Sequence, residues 1–92
     1  MSKRKNRDVV YAKLLDLIGK RIRQVRKERG YTNFETIANI ADIARPQWGR
    51  YESGDDMLLS TLLHVLVSLN IDFKDFFTEE LNQALKEFTN EP

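Results

Sequence analysis

Residues 33–54 read NFETIANIADIARPQWGRYESG, and their spacing sets the fold. Ile37, Ala38 and Ala41 recur at helical intervals, as do Trp48 and Tyr51. Between the two runs, Asp42 stands where the chain must turn, and Pro46 stands where a helix tolerates a missing N–H, in its first turn. The spacing predicts two short helices, over 33–41 and 45–52, separated by three or four residues. A connection that short makes the helices cross steeply. Such a crossing requires a small residue in the first helix, a permissive turn residue, an apolar plug and two apolar anchors in the second. Ala38, Asp42, Ile43, and Trp48 with Tyr51 fill those places in order. Asp is a reasonable turn residue because its short side chain tolerates left-handed backbone better than most, though less well than Gly.

Upstream, Val10, Leu14, Ile18, Ile22 and Val25 recur at three- and four-residue steps. They predict an amphipathic helix capped by Asp8 and stopped near Arg29 by Gly30. Residues 1–7, MSKRKNR, form a short basic arm, expected to lack order on its own. Thr32 and Glu35 have capping-box spacing, with Asn33 as the competing cap. Downstream, Gly54 ends the third helix. Ser60 is the expected cap of a fourth helix built on Leu62, Leu63, Val65, Leu66 and Leu69, which Asn70 closes. Asp72 caps a short fifth helix carrying Phe73, Phe76 and Phe77. After Thr78, Leu81, Leu85 and Phe88 mark a C-terminal helix with an acidic outside. That stripe either packs on the first helix of its own chain, forms a dimer seam, or receives a protein partner. There is no strand pattern and no internal repeat. The fold class is all-α.

Ninety-two residues suit one domain with one core and leave little room for an enclosed catalytic cleft. The absence of cysteine excludes disulfides and thiolate metal sites. It also fits a reducing, cytoplasmic setting. No apolar run approaches the roughly 18 residues of a membrane span, and nothing reads as a secretory h-region. His64 is alone, so no metal site is expected. The acid pairs Asp55–Asp56 and Glu79–Glu80 read as loop solvation and helix N-terminal charge. No nucleophile–base set or phosphate loop is present, so neither an enzyme nor a cofactor is expected. The net charge of +1 hides a strong polarity. Residues 1–29 hold eleven Lys/Arg and three acids (+8), residues 30–54 two and three (−1), and residues 55–92 two and eight (−6). The basic front is either a phosphate-facing surface or the solvated side of a long helix.

From Ile18 to Phe77 the chain resembles the phage repressor and Cro-type (XRE) helix-turn-helix family. The likeness rests on the basic helix ending Arg-Lys-Glu-Arg-Gly, the Tyr-Glu-Ser-Gly close of the third helix, and the Leu-rich fourth helix leading into Ile71-Asp72. It covers about 60 of the 92 residues. The resemblance implies a five-helix, lambda repressor-like bundle over residues 8–77, with residues 78–92 as an added C-terminal helix and tail. It also implies a prokaryotic transcriptional regulator that binds double-stranded operator DNA as a homodimer, with the third helix in the major groove. By position, base readout falls to Ala44, Arg45, Pro46, Gln47, Gly49 and Arg50. Arg can pair with guanine O6/N7 and Gln with adenine N6/N7, each good pair discriminating by about 1–3 kcal/mol. Phosphate contacts fall to Thr32, Asn33 and Phe34 at the start of the second helix, joined by Lys20, Arg21, Arg23 and Lys27. The arm residues Lys3, Arg4, Lys5 and Arg7 can reach phosphates or a minor groove. Arg26 and Glu52 are expected to form a structural pair.

The chain departs from the family pattern in several places. Asp42 replaces the usual turn Gly, and one extra residue lies between Thr32 and Ile37. Ala44 replaces a Ser/Thr cap, at a cost of about 1 kcal/mol. Gly49 either admits the DNA backbone or makes room beside Trp48.

Overall fold

The helix at the front of the chain starts earlier than Asp8. In the computed structural model, which describes the backbone of residues 2–89 and the side chains of residues 9–87, α1 spans Ser2–Glu28. Nothing in Ser2–Arg7 interrupts it: there is no Gly or Pro, and Lys and Arg are good helix formers. Asp8 is therefore inside the helix and not its cap, and residues 2–7 are helical rather than an unstructured arm. The contacts expected of Lys3, Arg4, Lys5 and Arg7 lie outside the described side chains.

The helices that follow are α2 (Phe34–Ala41), α3 (Arg45–Glu52), α4 (Leu59–Ser68), α5 (Phe73–Phe76) and α6 (Glu79–Thr89), with no strand among the described residues. Asn33, not Thr32, caps α2, its side chain accepting from the Glu35 N–H. Asp72 caps α5 by accepting from the Asp75 N–H at 2.8 Å. Ser60 does not cap α4: the helix begins one residue before it, at Leu59, with Leu58 in the cap position and no side-chain bond there.

Four helix ends share one device. Gly30, Asp42, Gly54 and Asn70 all have φ between 55° and 100°. Each is followed by a residue whose N–H reaches back to the carbonyl five positions earlier: Tyr31 to Arg26, Ile43 to Ala38, Asp55 to Arg50 and Ile71 to Leu66. These are Schellman ends, in which one left-handed residue lets two otherwise open carbonyls be satisfied.

The core consists of Ile22 and Val25 of α1; Ile37, Ala38 and Ala41 of α2; Trp48 of α3; Leu62, Val65, Leu66 and Leu69 around α4; and Phe76 of α5. Ile43 and Tyr51 pack against it as expected. α3 lies against α1 and α2, α4 against α2, and α6 against α1. Leu81 of α6 is buried, whereas Leu85 is exposed, and the Phe88 side chain lies outside those described. The C-terminal helix therefore packs within its own chain. The radius of gyration is 14.1 Å, against about 12 Å for a compact chain of this length. The 27 residues of α1 account for the excess: they span about 40 Å and set the long dimension of 43 Å. No helix among the described residues is long and apolar enough to cross a membrane.

Candidate functional site

Beneath α3, a buried carboxylate gathers donors from two elements, α1 and α3 itself. Arg26 of α1 donates to both oxygens of Glu52, Nε to Oε2 at 2.6 Å and Nη2 to Oε1 at 3.1 Å. Trp48 Nε1–H donates to the same Oε2 at 2.6 Å, and the remaining Arg26 Nη1 reaches the Tyr31 carbonyl at 2.7 Å. Both charged side chains are over nine-tenths buried. A buried charge is tolerated only when paired and fully hydrogen-bonded, and here every buried side-chain N and O atom that is described has a partner. The Arg26–Glu52 pair is thus structural. Trp48, with its ring buried and its N–H committed, is a core anchor with no face left for stacking.

Two glycines let α3 sit this close. A Cβ on Gly19 of α1 would lie 2.6 Å from the Glu52 and Tyr51 carbonyl oxygens, so only glycine permits the approach. Gly49 lies against the ring of Phe34, and a Cβ there would come within 3.2 Å of it. Gly49 is therefore turned toward α2 and not onto the outer face. The room it makes is for Phe34, not for Trp48. The Phe34 ring is half-buried, with the Arg26 guanidinium 5.9 Å from its centroid. Its ring is therefore packed between Gly49 and Arg26.

The opposite side of α3 is open. Ala44, Arg45, Pro46 and Arg50 are exposed and Gln47 is half-exposed. Arg50 Nη1 donates to Gln47 Oε1 at 3.1 Å, one turn away. Arg45 Nη1 sits 3.3 Å from Glu35 Oε2, an ion pair more than half exposed on both sides. Bonds of this kind contribute about 0–1 kcal/mol, so they orient the side chains without committing them. Beside this face, Thr32 and Asn33 are exposed at the start of α2.

The basic residues of α1 divide. Lys20, Arg23 and Lys27 are exposed and recur at three- and four-residue steps along one stripe, about 100° round the helix from Gly19 and Arg26. Lys20 pairs with Asp16 at 3.2 Å, in solvent. Arg21, expected with them, is instead a clasp. Its Nε donates to the Phe76 carbonyl at 2.8 Å and its Nη2 to the Asp75 carbonyl at 2.7 Å, with the Phe76 ring 5.8 Å away. The reason is that α5 ends there with open carbonyls, which a nearby guanidinium satisfies. His64, exposed on α4, touches the Ala41 carbonyl at the end of α2 through Nε2.

Sequence reasoning did not single out Gly19 or the Glu35 partnership of Arg45. A signal for the first existed: glycine inside a long helix costs about 1 kcal/mol and usually marks a close approach. No such signal exists for the second, because ten residues and a turn separate the partners. Comparison with protein-family models, with curated proteins and with solved structures gives no match to this chain.

Proposed function

We propose that this chain binds double-stranded DNA sequence-specifically, presenting α3 to the major groove as the second helix of a repressor-like helix-turn-helix. In this reading it is a cytoplasmic, prokaryotic regulator of the phage repressor and Cro type that acts as a homodimer by occupying an operator. The observation that carries the reading is the two-sidedness of α3. Its inner side is bolted to α1 through Arg26, Glu52 and Trp48, while Arg45, Gln47 and Arg50 stand on the outside, held only by surface bonds. A rigid helix carrying long, weakly engaged Arg and Gln side chains suits base-edge readout. The start of α2, with Thr32 and Asn33, and the stripe of Lys20, Arg23 and Lys27 supply phosphate contacts on this reading. The test is selection of bound duplexes from a random pool, repeated with Arg45→Ala and Arg50→Ala. Each variant is expected to lose preference at distinct positions, and unchanged preference in both refutes the readout assignment. Affinity should fall with salt by about 0.9 log units per log unit for each phosphate neutralised.

A second reading has one observation in its favour. Between α1 and α6 lies a groove of about 400 Å³ lined by Leu14, Ile18, Phe77, Leu81 and Leu85. An adaptor or antitoxin that binds a protein through its C-terminal half would use it. DNA binding that is lost on removing residues 79–92 while the helical fold is kept would favour this alternative.

A further inference from the structure

The outer face of α4 leaves a row of large apolar side chains in water. Leu59, Leu63 and Val67 follow one another at four-residue steps and so form a single ridge, with Leu58 at its start. Val67 is 77% exposed, Leu58 74% and Leu59 69%. α2 meets α4 where Ala41 contacts His64, one residue beyond the exposed Ile40. None of the ten residues of α4 is Asp, Glu, Lys or Arg, in a chain of which these make up 32%. Three of the four ridge residues are more than two-thirds exposed, and a contiguous apolar patch of this kind on a monomer is often a binding surface.

The ends of this ridge differ in charge. Asp55 and Asp56 lie in the loop four and three residues before the first residue of α4. At the other end Arg29 of α1 is anchored, its Nε donating to the Leu69 carbonyl at 2.9 Å and its Nη2 to the Asn70 carbonyl at 3.1 Å. An acidic end, a neutral apolar middle and a basic end make a surface complementary to itself when turned through 180°. We infer that the α4 ridge is where a second copy of this chain docks, the two α4 helices running antiparallel. Pairing centred on Leu63 sets Leu59 against the partner's Val67 and the Asp55–Asp56 end against the partner's Arg29, twice by symmetry. Parallel pairing would oppose like charges. Four apolar side chains per copy are far fewer than the roughly 20–30 residues a side of a stable interface, so the dimer is weak. It does not depend on DNA binding.

Sedimentation equilibrium of the full chain without nucleic acid, across the micromolar range, tests the inference. The mass is expected to rise with concentration from 10.8 kDa toward twice that value. Val67→Lys and Leu59→Lys, at solvent-exposed positions, should weaken association at least tenfold with unchanged helical circular dichroism. Leu85→Lys in the α1–α6 groove should leave it intact. Because the chain has no cysteine, register is read directly. Leu63→Cys should form an oxidative cross-link with itself, whereas Leu59→Cys and Val67→Cys should cross-link best when mixed. A single-chain mass at every concentration overturns the inference. So does a dimer that Leu85→Lys dissociates and Val67→Lys does not.

Discussion

Glu52 collects three donors although Arg26 lies 26 residues away in sequence, and the seat of α3 depends on that one carboxylate. Glu52→Gln keeps the shape but removes the charge and leaves the Arg26 guanidinium buried without its counter-ion. Breaking a buried pair from one side costs about 3–5 kcal/mol, a large part of the 5–15 kcal/mol that holds a domain together. Urea denaturation should show that loss, and a change below about 1 kcal/mol would mean the pair is not what holds the helix. Glu35 works on the other side. Its carboxylate pairs with Arg45 and sits in the first turn of α2, where a phosphate is proposed to approach. Glu35→Gln should therefore release Arg45 and remove a like charge from that approach. DNA affinity is expected to rise severalfold at low salt, and a fall would show that Glu35 positions Arg45 productively. Both effects come from single side chains and leave the helices unchanged.

At the scale of elements, the way each helix begins and ends decides how the next one is aimed. Asp42 takes φ 56° and ψ 43° at the end of α2, a conformation that glycine adopts without strain. Its carboxylate also lies at the negative end of the α2 dipole. Asp42→Gly should relieve both and stabilise the fold by about 1 kcal/mol, or about 4–8 °C in Tm for a domain this size. A lower Tm would show that the Asp side chain holds the turn in a way its backbone does not reveal. Ala44 behaves differently. A capping side chain serves the N–H groups of the second and third helical residues. In α3 the second is Pro46, which has none, and the N–H of the third, Gln47, already donates to the Ala44 carbonyl at 2.9 Å. The missing Ser or Thr thus costs less than its absence from the sequence implies. Ala44→Ser should change Tm by less than the usual capping gain of about 1 kcal/mol, measured by the same thermal melt.

Across the whole molecule, α6 covers part of α1. Removing residues 79–92 takes away buried Leu81 and uncovers the α1 surface at Leu14 and Ile18. The loss expected is that of one large apolar side chain, about 1.5–3 kcal/mol. Duplex affinity and self-association should survive, since α3 and the α4 ridge lie elsewhere in the chain. A truncated protein that melts as before would mean that α6 contributes nothing to the fold.

What could be read from the chain depends on near neighbours, although the caps expected of Asp8, Thr32 and Ser60 gave way to an earlier helix start, to Asn33 and to Leu58. Helical periodicity predicted the helices. Gly30, Asp42, Gly54 and Asn70 were legible as their ends, because left-handed backbone admits few residue types. Ala38, Ile43, Trp48 and Tyr51 were legible as the frame of the turn for the same local reason. Folding alone decided which charges stay free. Arg21 and Arg23 are both basic residues of one helix, yet the first clasps the end of α5 and the second faces water. Gly49 and Phe34 meet only because α2 and α3 pack together. Periodicity states which face of a helix turns inward, but the partner a side chain finds there depends on distances between distant segments, and those exist only once the core has closed.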